Sequence, residues 1–192
     1  MDDALRILGI NGSRRHGATE SLLVRAMAGC TRTINRTRPA IQTNTIHLVC
    51  TDLPMFFESN AGNVKVAALL DECMRADGII IATPVHWGGA SAAVVNVLSW
   101  MTELEEGWKL KGKAFGCIAH CDTDGGQSAC NAMVTTLTHL GMVLAPFGTF
   151  YFNSSMADKS ENQWMLTDAD LLGSNVAELA YVLKKQFTVY NI

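Results

Sequence analysis

Leu5-Arg6-Ile7-Leu8-Gly9-Ile10-Asn11-Gly12-Ser13-Arg14-Arg15-His16-Gly17-Ala18-Thr19-Glu20-Ser21-Leu22-Leu23 is the stretch whose reading decides the fold. Leu5 to Asn11 is a short apolar run, the length of a strand. From Ser21 to Ile34, Leu22, Leu23, Ala26, Met27 and Cys30 recur at helical spacing. Between the two lies a turn crowded with glycines, hydroxyls and arginines. Strand, turn and helix in that order make the first half of a parallel βαβ unit.

The turn has the chemistry that a phosphate requires: free backbone N–H groups, the positive end of a helix and donor side chains. It lacks G-x-x-x-x-G-K-[ST], so it is not a nucleoside-triphosphate loop. Gly9, Gly12 and Gly17 do not have the G-x-G-x-x-G spacing of a dinucleotide site. What remains is Ser13, Arg15, Thr19 and Ser21 around the helix start, a set that suits a terminal phosphate monoester. The alternative for this stretch alone is an ordinary glycine-rich turn with Thr19 as helix cap.

The alternation continues along the chain. Ile41 to Val49 reads as a strand near an edge, and Asn63 to Met74 as a helix through Val66, Leu69, Leu70 and Cys73. Gly78-Ile79-Ile80-Ile81-Ala82 is a β-branched run of the kind buried on both faces. A helix over Ala90 to Met101, a strand over Ala114 to His120 and a helix over Ser128 to Leu140 follow. Met142 to Phe152 supplies a fifth strand, with Pro146 marking a bend or an edge. Thr167 to Phe187 is the last helix, with Thr167 as its cap and Lys184 and Lys185 at its negative end. Asn153 to Leu166 is left as a long connection, functional or simply solvated. Five β–α pairs in series predict a single α/β domain over residues 1–192: a five-stranded parallel sheet between two layers of helices.

Composition narrows the class. The chain has 192 residues, 48% apolar and 17% charged, enough to bury a globular core. A net charge of -3 argues against a nucleic-acid partner. No apolar stretch approaches the roughly 20 residues of a membrane span. The six cysteines form no C-x-x-C pair, so no metal site is expected. The acidic start Met1-Asp2-Asp3 does not read as a secretory signal, and reduced thiols fit the cytoplasm.

In such a sheet, ligands bind beyond the carboxyl ends of the strands where the strand order reverses. The loop after the third strand is Thr83-Pro84-Val85-His86-Trp87-Gly88-Gly89-Ala90-Ser91. That after the fourth is Cys121-Asp122-Thr123-Asp124-Gly125-Gly126-Gln127-Ser128. Taken singly, Trp87 reads as a packing residue, and the Gly125-Gly126 loop reads equally as a tight turn or as backbone N–H groups presented to the carbonyls of a ring. Together with the phosphate turn, the loops fit a mononucleotide with a large flat ring, such as FMN.

The chain resembles the NAD(P)H-dependent FMN reductases of the flavodoxin-like group, which include iron–sulfur flavoproteins and quinone reductases. The resemblance spans roughly Leu5 to Phe150 and implies a flavodoxin-like three-layer α/β/α sandwich with strand order 2-1-3-4-5. It rests on Gly12-Ser13-Arg14-Arg15, Gly17-Ala18-Thr19-Glu20-Ser21-Leu22-Leu23, Ala76-Asp77-Gly78-Ile79-Ile80, Thr83-Pro84-Val85-His86-Trp87-Gly88, Gly125-Gly126 and His139-Leu140-Gly141-Met142. It implies that Ser13, Arg15 and Thr19 hold the FMN phosphate, with Ala18 and Glu20 in the same turn. It implies that Pro84, Val85, His86, Trp87 and Gly88 line the flavin, with Asp122, Thr123, Gly125 and Gly126 on its other side. Ala18 stands where relatives often have Asn, and His86 where many have tyrosine. Cys50 is a single cysteine where the iron–sulfur relatives have a cluster.

The expected activity is transfer of hydride from NADPH or NADH to bound FMN and on to a small acceptor such as a quinone or free flavin. No side chain is assigned as catalytic. The alternatives are a flavodoxin-type electron carrier, which the mild charge disfavours, and a flavin-binding sensor. The resemblance also implies a homodimer or homotetramer, for which Phe56-Phe57 and Trp164-Met165 would supply apolar surface.

Overall fold

The computed structural model describes residues 4–32, 40–57, 62–155 and 162–189, without the side chains of 162, 163 and 187–189. The acidic Met1-Asp2-Asp3 start, the expected end of the first helix at residues 33–34, and 156–161 of the long connection lie outside the described residues.

Strand β1 (Leu5–Asn11) leads through the turn into α1 (Ala18–Arg32). Then come β2 (Ile41–His47), one helical turn α2 (Leu48–Thr51) and α3 (Val64–Arg75). β3 (Gly78–His86) turns back into the two-residue β4 (Gly89–Ala90) before α4 (Ala92–Trp100). β5 (Ala114–Cys121), α5 (Gly126–His139), β6 (Val143–Asn153) and α6 (Asn162–Val189) complete the chain. The strand order β2-β1-β3-β5-β6 is the predicted 2-1-3-4-5 with β4 added as a short antiparallel partner of β3. This is the flavodoxin-like arrangement.

The three isoleucines of β3 show why the sheet is covered on both sides. Successive side chains of a strand point to opposite faces. Ile79 and Ile81 pack with Val66, Leu69, Val97 and Met133 of α3, α4 and α5. Ile80 packs with Leu22, Leu23, Leu172 and Val176 of α1 and α6. All three isoleucines are fully buried. Helices α1 and α6 cross closely at glycines: a Cβ on Gly173 would overlap the Ala26 carbonyl, and one on Gly29 that of Asp170.

Several expected boundaries move. α1 begins at Ala18, so Thr19 lies buried in its first turn and is not its cap. β3 continues four residues past Ala82, so Pro84, Val85 and His86 belong to a strand, and the loop shrinks to Trp87-Gly88. Pro84 is tolerated there because β1 has already ended at Asn11, opposite Ala82, and the missing N–H of Pro84 faces that side. The last helix starts at Asn162, which places Thr167 inside it and puts Trp164 and Met165 on a helix. Pro146 does mark an irregularity: the β5–β6 register slips between Phe115 and Cys117, and Phe147 there has φ +50°. β2 and β6 are the edges of the strand order.

No described helix is long and apolar enough to cross a membrane. All six cysteines are free thiols, five of them buried and Cys50 exposed.

Candidate flavin site

The topology brings the ends of β1, β3 and β5 together, because these strands are neighbours in the sheet. Their loops are then laced to one another. The Gly12 N–H donates to the Ala82 carbonyl at 2.8 Å. The Ser91 hydroxyl, which caps α4, donates to the Gly12 carbonyl at 3.1 Å. The Ser91 N–H donates to the Thr83 hydroxyl at 2.9 Å. Thr83 and Ser91 are buried, so the turn after β1 is fixed against the start of α4 by groups that water does not reach. Neither residue stood out in the sequence, although a hydroxyl on each side of a Gly-rich hairpin is a usable signal.

Within the first turn, Ser13 is held by Asn11, whose side-chain oxygen accepts the Ser13 N–H at 2.9 Å. The Ser13 hydroxyl donates to the Arg15 carbonyl at 2.8 Å and accepts the Arg15 N–H at 3.2 Å. Arg14 and Arg15 are exposed, and neither guanidinium has an ion-pair partner among the described residues. Ala18 is half-buried at the helix start. The Glu20 carboxylate receives His16 at 2.6 Å and lies 3.7 Å from His47.

The second and third loops touch through glycines. A Cβ on Gly125, which has φ +84°, would come within 2.5 Å of the Gly88 Cα. One on Gly126 would press into the Tyr151 ring at 2.7 Å. Gly125 therefore serves both a left-handed backbone and a close approach. Beyond it, Asp122 accepts the Ser154 hydroxyl at 2.9 Å, and the Asn153 amide donates to the Thr123 carbonyl. Residues 153–155 thus brace the third loop from the side. His86, Trp87 and Gly88 are exposed.

His120 was not singled out in the sequence. It lies in one row with Pro84 and Phe152 across the ligand end of the sheet. Its ring stacks on Phe152 with centroids 5.9 Å apart. Burial lowers its pKa, against a smaller upward pull from the Asp122 carboxylate.

The helices that begin at this edge of the sheet are capped in two ways. Asn63 caps α3 and Ser91 caps α4 with side-chain oxygens. α1 and α5, which open on the ligand edge, are preceded by Gly17 and Gly125, which have no side chain to offer. Neither glycine supplies a side-chain cap, although the Gly126 N–H of α5 is engaged by the Cys121 thiol. Beside α1 stand Arg14 and Arg15, without an ion-pair partner among the described residues, and beside α5 a glycine-backed wall. Residues 5–157 match the NADPH-dependent FMN reductase family.

The chain belongs to that family.

Membership makes the protein an NAD(P)H-dependent FMN oxidoreductase, with FMN as its flavin and NAD(P)H as its reductant. An iron–sulfur flavoprotein of Methanocaldococcus jannaschii is 27% identical over 198 residues, covering 94% of this chain and all of that protein. Among solved structures, RosB with a bound 8-demethyl-8-formylriboflavin-5'-phosphate superimposes with a TM-score of 0.77 at 18% identity, over 94% of this chain and 81% of RosB. The apo form of the NADH:FMN oxidoreductase EmoB gives 0.67 at 21% identity, over 88% of each chain. At these identities the structures speak for the fold. Among the described residues no group of three or more His, Cys, Asp or Glu side chains is placed to hold a metal.

Proposed function

We propose that this FMN reductase family member holds FMN across the ends of β1, β3 and β5, and reduces a small acceptor such as a quinone, a free flavin or another electrophile. The observation that carries the reading is the meeting of three loops at one end of the sheet: the Gly12 turn is bonded to Ala82 and Ser91, Gly88 packs on Gly125, and Arg14 and Arg15 have no ion-pair partner among the described residues. The bound flavin would supply two-electron chemistry with the nicotinamide.

The chain's own residues bind and orient. The turn over Ser13, Arg15, Ala18 and Thr19 would offer the phosphate one guanidinium and the N–H groups of the helix start, while Thr19 is buried and the Ser13 hydroxyl is bonded to Arg15. Pro84 to Gly88 form one wall for the ring, and Asp122, Thr123, Gly125 and Gly126 the other. The Gly88–Gly125 contact fixes the gap between them. No side chain is required as an acid or base when the flavin is reduced. His86 and His120 are the groups near the ring that hold or release a proton when an acceptor takes electrons.

We also propose a homodimer or homotetramer in the cytoplasm. Free cysteines suit a reducing compartment. Exposed Phe57, Trp87 and Trp164 suit a second copy. Phe56, by contrast, packs edge-on against Trp100 with centroids 5.0 Å apart.

A visible spectrum of the purified protein is the test. Added FMN should bind, and its absorbance should bleach when NADPH or NADH is supplied without oxygen, returning when a quinone is added. Bound flavin that neither nucleotide bleaches would remove the reductase reading. A monomer mass from light scattering of the same sample would remove the oligomer.

A further inference from the structure

Asn11 is an amide buried to 1% exposure at the end of a central strand. Burying such a group costs free energy unless both of its ends are bonded. Both are. β1 and β2 run parallel, with Asn11 opposite His47, so their side chains leave the same face of the sheet, beneath the first turn of α1. The Asn11 side-chain oxygen accepts the Ser13 N–H at 2.9 Å. Its nitrogen lies 3.1 Å from His47 Nδ1.

The chemistry leaves no freedom in this arrangement. A backbone N–H only donates, so the atom facing Ser13 is the amide oxygen. The other end is then an NH2 group, which also only donates. His47 Nδ1 must therefore be the acceptor, and the neutral ring carries its proton on Nε2. Turning the amide over would set its NH2 against the Ser13 N–H, two donors, and its oxygen against the Nδ1 lone pair, two acceptors. Glu20 Oε1 is 3.7 Å from the same nitrogen, beyond hydrogen-bond distance, so it does not hold a proton on Nδ1.

We propose that Asn11 and His47 are positioning residues for the FMN phosphate: they set the turn from Gly12 to Gly17 without touching the cofactor. The proposal rests on the reading of that turn as the phosphate site. His47 orients Asn11, and Asn11 orients Ser13. Ser13 then grips both the N–H and the carbonyl of Arg15. Register on the edge strand thereby reaches the residue whose guanidinium faces the phosphate. Glu20 stands beside this chain of contacts, and its charge keeps it out of the phosphate shell. An ionised carboxylate only accepts hydrogen bonds, and it takes one from His16 at 2.6 Å.

The test compares FMN with riboflavin, which lacks the phosphate, by quenching of flavin fluorescence in the full-length protein. His47→Phe keeps a ring but removes the acceptor. It should weaken FMN by about tenfold, the loss of one hydrogen bond and the order that depends on it, and riboflavin by less than about twofold. His47→Asn places a carbonyl oxygen where Nδ1 stood and should restore most of the FMN affinity. Unchanged riboflavin binding shows that the variant is folded. The proposal is overturned if His47→Phe binds FMN like the wild type, if both ligands weaken equally, or if His47→Asn is no better than His47→Phe. A wild type that does not prefer FMN to riboflavin would instead remove the phosphate reading itself, and this inference with it. Hydrogen exchange in the wild type needs no variant: the Ser13 amide should be protected, and fast exchange there overturns the proposal.

Discussion

Trp87 carries two costs that nothing in the isolated chain offsets. With φ +53° at Trp87 and +77° at Gly88, the pair forms a two-residue turn with both residues left-handed, joining His86 of β3 to Gly89 of β4. Such a turn favours Asn followed by Gly. A tryptophan in the first position costs about 1 kcal/mol in backbone strain. Its side chain is 105% exposed, so it recovers nothing from burial. A residue strained and unburied at a ligand edge is placed for something outside its own chain. Trp87→Asn should therefore leave the melting temperature unchanged or raise it by about 2 °C, while lowering quinone turnover. Calorimetry and a quinone-reduction assay check the two halves. A variant that melts several degrees lower and turns over normally would show that Trp87 serves the fold.

At the scale of elements, what the sequence disclosed follows from which interactions are local. The apolar runs of β1 and β3, and the helical spacing of α1 and α5, depend on near neighbours and are legible. The continuation of β3 through Pro84 is not. Proline and the Gly88-Gly89 pair read as loop punctuation, while the strand pairing that overrides them comes from β5 and β4. The start of α6 at Asn162 is likewise hidden, because Trp164 is exposed and only Met165 packs on the core. The three ligand loops are legible by position after their strands. The Asn11–His47 bond is not, since it depends on the β1–β2 register. The α1–α6 crossing is also invisible in sequence, yet it aims α1 at the cleft. Gly173→Ala would drive a methyl into the Ala26 carbonyl. The helices must then move apart, at about 1–3 kcal/mol. Urea unfolding should show the loss, and FMN affinity should fall with it because the N-terminus of α1 shifts. Full stability together with full affinity would mean the crossing relaxes freely.

For the whole molecule, the buried thiols tie stability to alkaline pH. Burial pushes the pKa of Cys30, Cys73 and Cys130 up to about 12. In the unfolded chain a thiol ionises near 8.5–9, so above about pH 9 the unfolded state releases protons that the folded state keeps. The stabilising difference is complete below that pH and is lost as pH rises toward 12. Each thiol contributes a slope of roughly 1 kcal/mol per pH unit. Lys113 pulls the other way. Burial lowers its pKa, so the unfolded chain holds that proton longer, and the folded state gains as the pH passes through the same range. Comparing the wild type with Cys30→Val separates the two effects, because Lys113 is common to both. Unfolding free energies from urea at pH 8 and pH 10.5 should fall less in the variant, by the share of one thiol. Equal falls would show that Cys30 ionises within the folded core, and that α1 opens beside Gly173, where the Cys30 thiol donates to the carbonyl at 3.2 Å.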